Sequence, residues 1–433
     1  MRVGAFQASA VTEASNRGHR TGIDVSQAAS SQRPDRTMRY AIVTDTYTPD
    51  INGVALTLQS YVRGLRARGH TVEVVRPARI GEPPGSDATT LRIRGLRVPR
   101  YPGLRLALPA GQRLRSRWRS ARPDAIYVAT EGPLGWSALN AAQALRIPVV
   151  TALHTRFDLY MAAYGAPWLQ LAALSWMRRF HARADATLVA TRALAAELRE
   201  AGIGHPVVLS RAVDCQQFDP ARRDVALRAA WGVAEGGLVA IHVGRVAAEK
   251  NLGLAVRAFR ALQAQRPDAR MVFVGDGPER AALQAAHPDF IFAGSQRGDD
   301  LGRHFASADL FLFPSRSETF GNVVLESMAC GVPQVAFDHG AATEHLCDGH
   351  HGARIAGDDE DAFIAAAVAL SGDADTRRAM GLAAREAMRR LTPAHVADDL
   401  DALLAGLRGR AAGPRAPLPA PTDAEDADAR HAA

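Results

Sequence analysis

From Met38 onward, short apolar runs alternate with longer amphipathic stretches, and that alternation predicts strands and helices taking turns along the chain. RYAIVTD at 39–45, TVEVVRP at 71–77, AIYVAT at 125–130, PVVTALH at 148–154, ATLVA at 186–190 and PVVLS at 206–210 are short and almost unbroken in apolarity. Such runs suit strands covered on both faces, as in a parallel sheet with helices above and below. Residues 54–68 carry apolar side chains at helical spacing and stop at Gly69, a residue suited to a helix end. A second series follows with LVAIHVG at 238–244, ARMVFVG at 269–275, FIFAG at 290–294, DLFLF at 309–313 and PQVAF at 333–337, again separated by helices such as 252–265. The expected fold is α/β, with two Rossmann-like, doubly wound domains at 38–212 and 213–390 facing each other across a cleft. Their join falls near Val213, inside the aperiodic stretch RAVDCQQFDPARRD at 211–224. Helices near 375–390 and 393–407 end the pattern, and the segment 391–412 is expected to cross back onto the first domain.

With 433 residues and 47 % hydrophobic content, the chain can build two cores of ordinary size. It holds no run of about 18 apolar residues, so no transmembrane helix is predicted. Cys215, Cys330 and Cys347 are too few and too scattered for a disulfide framework or a zinc site, and they fit a reducing cytoplasm. Residues 1–37 read as a disordered segment or a mis-assigned start ahead of Met38, and the Pro-, Ala- and Asp-rich tail 413–433 reads as disordered. The net charge of +7 rests on arginine almost alone, since Lys250 is the single lysine among 52 basic residues. Where arginine serves nearly everywhere, one lysine invites a chemical reason. Ten arginines and no acidic residue lie between Leu91 and Arg122, with Leu114 and Trp118 on one predicted helix face. A solvated helix leading into the next strand is the preferred reading; peripheral contact with an anionic membrane, at the inner face of the plasma membrane, is the alternative. No nucleic-acid-reading module accompanies the stretch, so specific nucleic-acid binding is not expected.

The sharpest candidate site is PSRSETFGNVVLESMACG at 314–331, where a strand delivers a loop and the loop feeds a helix closed by Gly331. Free N–H groups and the dipole at such a helix start attract phosphate. Glu318 and Glu326 would repel an anion there, but they can accept hydrogen bonds from neutral hydroxyls on either side of it. A ligand whose hydroxyls flank a diphosphate is a nucleotide sugar. The loop VGRVAAEKN sends Gly244, Arg245 and Lys250 toward the same cleft, and a guanidinium fork with a compact ammonium suits a leaving diphosphate. The plainer alternative is a surface ion pair between Glu249 and a neighbouring arginine. In TDTYTPDINGV the strand ends at Asp45 and a helix begins at Gly53, which permits close backbone approach to a ligand. His154 and Thr155 lie at another carboxyl strand end; a lone histidine is more often structural, but this position suits contact near a reacting sugar. Gly275, Gly277 and Gly294 sit at turns that could border a nucleotide base. The Gly-x-Gly at 275–277 lacks the third glycine of a dinucleotide fingerprint.

Taken together, these residues resemble the retaining glycosyltransferases of family 4, which have the GT-B architecture, over about residues 38–407. Glu318 and Glu326 with seven residues between them, Gly244 with Arg245, and Lys250 with Asn251 carry the resemblance. It implies that Glu318 holds hydroxyls of the donor sugar, that Glu326 holds the ribose, and that the backbone of Phe320, Gly321 and Asn322 holds the sugar or diphosphate. Arg245 and Lys250 then match the diphosphate clamp, and His154 a histidine that contacts the donor sugar. The chain departs from the family pattern at Asn52, where many members have glycine, and at Thr319 and Ser327, which replace commoner Gly and Ala. DINGV with HTRFDLY looks most similar to the branch of bacterial GDP-mannose-dependent α-mannosyltransferases and glycolipid-forming glycosyltransferases. The implied reaction is metal-independent transfer of a hexosyl group, mannose favoured, from a nucleoside-diphosphate sugar to a hydroxyl of a lipid or carbohydrate acceptor, with retention. A UDP-sugar-dependent glycolipid synthase and a catalytically silent nucleotide-sugar-binding protein are the alternatives. No cofactor is implied, because the donor, GDP-mannose in preference to a UDP-sugar, is a substrate. No oligomeric state follows from the sequence.

Overall fold

The computed structural model describes residues 36–411 except 49, 51, 80, 83, 87–88, 98–104, 155–169, 317 and 319. The expectations for 1–35, for 412–433, for Thr155 and the rest of HTRFDLY beyond His154, and for Thr319 lie outside the described residues.

Two sheets carry the fold. In the first, the strands lie in the order Pro206–Val208, Ala186–Val189, Val149–Ala152, Ala125–Val128, Arg39–Val43, Thr71–Pro77 and Thr90–Ile93, all parallel, with Gly85–Ser86 antiparallel at the edge. In the second the order is Ile291–Gly294, Arg270–Val274, Val239–Val243, Leu310–Phe313, Gln334–Phe337 and Gly352–Ile355, parallel throughout. Central strands such as Ala125–Val128, Val239–Val243 and Leu310–Phe313 are buried at every position, which is why their sequences lack polar alternation. Each sheet begins near its middle, grows to one side, then reverses. The reversal opens a crevice at the carboxyl ends of Arg39–Val43 and Ala125–Val128 in one domain, and of Val239–Val243 and Leu310–Phe313 in the other. This is the GT-B arrangement of two doubly wound α/β domains.

Helices cover both faces of the first sheet. Leu114 and Trp118 of helix Gly111–Ser120 are fully buried in one core, so the arginine-rich stretch folds its apolar face inward and neither residue is available to a membrane. From the outer side of that helix Arg117 reaches back to Glu73, at 2.8 Å. On the opposite face helix Gly53–Ala67 packs beside the last helix, Pro393–Ala411. Val396, Leu400 and Leu404 of this last helix enter the first domain's core. Its Asp401 accepts from Tyr40 Oη at 2.6 Å and from His70 Nε2 at 2.9 Å. The chain thus leaves the second domain and is tied to the first again by a buried polar knot.

Candidate functional site

The two crevices face one cleft of about 1100 Å³. Gly53 and His154 line it from the first domain, and Gly244, Arg245, Lys250, Glu318, Phe320, Gly321 and Asn322 from the second. Glu326 and Gly294 are not on its wall.

In the first domain, Asn52 caps the helix that starts at Gly53. Its Oδ1 accepts from the Ala55 N–H at 2.9 Å and its Nδ2 donates to Thr46 Oγ1 at 2.7 Å. Asn52 therefore gives the helix start a side-chain cap. A Cβ on Gly53 would lie 3.5 Å from Arg211 Nη1 and 3.6 Å from Asn322 Nδ2, an ordinary contact. The glycine is thus not demanded by the protein's own packing, and what it keeps open is the cleft. Asp45, at the end of the central strand, accepts from the Ala107 N–H at 2.9 Å and from Thr130 Oγ1 at 2.8 Å. Burial raises its carboxyl above the ordinary range, the two hydrogen bonds opposing.

In the second domain, strand Val239–Val243 runs into Gly244 and a single helical turn, Ala248–Lys250, that presents Lys250 inward. The Lys250 ammonium donates to Glu318 Oε1, and the same oxygen accepts from Ser315 Oγ at 2.9 Å. Both partners are mostly buried, with side-chain exposures of 17 % and 13 %. Arg245 is 60 % exposed and sits 3.3 Å from Glu249, so the surface ion pair is present although Arg245 also edges the cleft. Behind this loop the VGDGP turn packs tightly, because a Cβ on Gly275 would come within 1.8 Å of the Gly244 carbonyl oxygen. Contact between two loops is enough to require glycine there, with or without a base beside it. Gly294 ends its strand, where its carbonyl accepts from the Gly275 N–H at 2.8 Å.

Gly321 has φ of 87°, a left-handed conformation that other residues adopt at a cost, and no side chain caps the helix Asn322–Ala329 that follows. Its first N–H groups remain free for an anion. One turn further on, part of Glu326 is exposed, yet its Oε2 is shut from solvent without a hydrogen-bond partner. Burial pushes its carboxyl up to about 7.

His154 is held at both ring nitrogens, Nε2 3.3 Å from Tyr127 Oη and Nδ1 3.5 Å from Arg211 Nη2. Burial first, and Arg211 second, push its pKa down to about 3. A neutral ring engaged on both sides is suited to shaping a site and not to carrying protons. Arg211 itself escaped the sequence reading. It follows the strand Pro206–Val208, is 8 % exposed, donates to Asn322 Oδ1 at 3.2 Å and lies 5.2 Å from the centre of the Phe320 ring. The rule that ligands gather at carboxyl strand ends applies to PVVLSR as well as to the other strands, and would have found it. Leu106, Ala173, Trp176 and Met177 add an apolar wall on the first domain's side of the cleft.

The cleft thus lies between two doubly wound sheets in the GT-B arrangement, with cations and a carboxylate at the switch point of one and a helix start at that of the other. Residues 51–217 match the family model described as Glycosyltransferase Family 4, and residues 237–373 the one described as Glycosyl transferases group 1. Over 311 residues the chain is 35 % identical to a GDP-mannose-dependent alpha-mannosyltransferase of Mycobacterium tuberculosis, covering 70 % of this chain and 80 % of that protein. A GDP-mannose-dependent alpha-(1-6)-phosphatidylinositol dimannoside mannosyltransferase of the same species is 30 % identical over 321 residues, 71 % and 81 % of the two chains. The chain belongs to glycosyltransferase family 4. Among solved structures, sucrose-phosphate synthase from Thermosynechococcus elongatus shares the fold, with a TM-score of 0.70 at 19 % identity over 86 % of this chain and all of that one.

Proposed function

We propose that the protein transfers mannose from GDP-mannose to a hydroxyl of a lipid or glycolipid acceptor, retaining the anomeric configuration and needing no metal ion. One observation carries this reading: Lys250 pairs with Glu318 beside an uncapped helix start, with Arg245 lining the same cleft, across from Gly53 and His154. The cations offer positive charge to match the negative charge that a leaving diphosphate develops. Glu318 accepts from hydroxyls of the sugar, and Glu326 is the candidate partner of the ribose. As the bond from C1 to the diphosphate oxygen breaks, the acceptor oxygen bonds C1 on the same face, and its proton passes to an oxygen of the leaving phosphate. No carboxylate nucleophile is then required.

The names of the two mycobacterial relatives support GDP-mannose as donor and, for one of them, a phosphatidylinositol glycolipid as acceptor. The apolar wall formed by Leu106, Ala173, Trp176 and Met177 suits such an acceptor. Among the described residues no helix is long and apolar enough to cross a membrane, so contact with a bilayer would be peripheral. The deciding experiment offers radiolabelled GDP-mannose, UDP-glucose and UDP-galactose to purified protein with phosphatidylinositol or diacylglycerol glycolipids in micelles. Label from GDP-mannose in the lipid fraction, with an α-linkage by NMR, is the expected result. Donor binding without transfer would overturn it.

A further inference from the structure

Arg211 is a buried guanidinium for which no carboxylate within ion-pair distance exists among the described residues. Among the described residues its hydrogen-bond and ring contacts are neutral, the amide of Asn322, the imidazole of His154 and the face of Phe320, with the Glu318 carboxylate farther off. Burying a cation with no carboxylate in contact is expensive, and a neutral side chain would fill the same space more cheaply. What arginine adds is a rigid fork of donors that reaches two acceptors at fixed angles.

We propose that Arg211 is a positioning residue of the donor site, holding His154 of the first domain and Asn322 of the second in one fixed arrangement. A guanidinium only donates, so His154 Nδ1 must accept, and the ring proton is confined to Nε2, which donates to Tyr127 Oη. By the same logic Asn322 Oδ1 accepts, and the amide Nδ2 is turned toward Gly53 across the cleft. One residue of the interdomain connection thereby sets the orientation of a group on each wall. Lysine would keep the charge but lose the fork.

The kinetic part of this proposal rests on the donor-site reading above, whereas its geometric part does not. The test uses full-length Arg211→Lys and Arg211→Gln proteins whose melting temperatures show that they fold. Histidine side chains labelled with nitrogen-15 report tautomers directly, and the His154 signal is assigned by its loss in His154→Asn. The expected result is a single Nε2–H tautomer in the parent protein and a mixed or reversed population in both variants. With GDP-mannose, both variants should lose about thirtyfold or more in kcat, as a misplaced reactive group does, with a smaller change in donor KM. An unchanged tautomer in Arg211→Gln would overturn the proposal, and so would near-normal kcat in Arg211→Lys. Should Arg211→Gln not fold, the lysine variant carries both readouts. A parent protein that turns over no nucleotide sugar would instead refute the function proposed above and leave the tautomer result standing.

Discussion

Lys250 and Glu318 are bonded to each other: the chain's single lysine donates to the first acid of its signature, and both are mostly buried. On the donor-site reading proposed above, a diphosphate entering the cleft would compete with Glu318 for the ammonium, and the carboxylate so released would accept from sugar hydroxyls. The pair can therefore hold the site's two opposite charges in register without either being stranded in a desolvated wall.

Replacing Lys250 with Ala is expected to lower kcat about a hundredfold or more, the loss seen when one donor to a developing oxyanion is removed. Lys250→Arg should recover only part of this, because the wider guanidinium must fit where a compact ammonium meets the Glu318 oxygen that also accepts from Ser315. Steady-state kinetics with GDP-mannose decide the matter, and near-normal turnover in the arginine variant would show that the lone lysine has no special role.

Glu326 predicts a pH signature. Its carboxyl ionises near 7 in the folded protein against an ordinary value of 4.5, so the fold favours the protonated form. Stability should fall as pH rises from about 4.5 to 7 and level off above, because the unfolded chain ionises first. Glu326→Gln removes that titration and should be more stable than the parent at pH 8, by at most roughly 3 kcal/mol, with little difference at pH 4. Chemical denaturation at both pH values measures it, and a pH-independent difference would contradict the burial argument. If Glu326 also receives the ribose, the same variant should bind GDP more weakly.

Much of this architecture was legible in the sequence, for a physical reason. Strands covered on both faces are continuous apolar runs, and the ends of those runs mark where ligands gather, which led to Glu318, Lys250, Gly53 and His154. The outer strands Thr90–Ile93 and Gly352–Ile355 are hidden because Arg92 and Arg354 interrupt segments only four residues long. Arg211 stood in an aperiodic connection, one more arginine in a chain where that residue carries little information. Spacing alone placed Glu326 beside Glu318, but which face of the helix it occupies, and hence its burial off the cleft wall, depends on packing.

Asp401 should matter to stability although it lies far along the chain from its partners. It accepts from Tyr40 and His70 inside the first domain, and Asp401→Ala leaves both without their acceptor. A cost of about 3 kcal/mol is expected, as for a buried polar network that loses one member. Urea unfolding measures it, and a change below about 0.5 kcal/mol would mean that the apolar contacts of the last helix hold it alone.

Removing divalent metal should leave transfer intact. On the proposed mechanism Arg245 and Lys250, which both line the cleft, neutralise the leaving diphosphate, so full activity is expected in EDTA with purified enzyme. Activity lost on chelation and restored by magnesium or manganese would show that these side chains do not suffice.

The apolar wall distinguishes acceptor from donor. Leu106 lines the cleft, is 41 % exposed and pairs across a short hairpin with Leu96, itself 62 % exposed. On the proposed lipid acceptor, an acyl chain lying against Leu106 would bury it. Trimming Leu106 to Ala removes contact worth about 1–2 kcal/mol for such a chain, so kcat/KM for a long-chain glycolipid acceptor should fall by roughly tenfold. Donor KM should not change, and a short-chain, water-soluble analogue should be used equally well by parent and variant. If both acceptors suffer alike, Leu106 supports the hairpin and not the lipid.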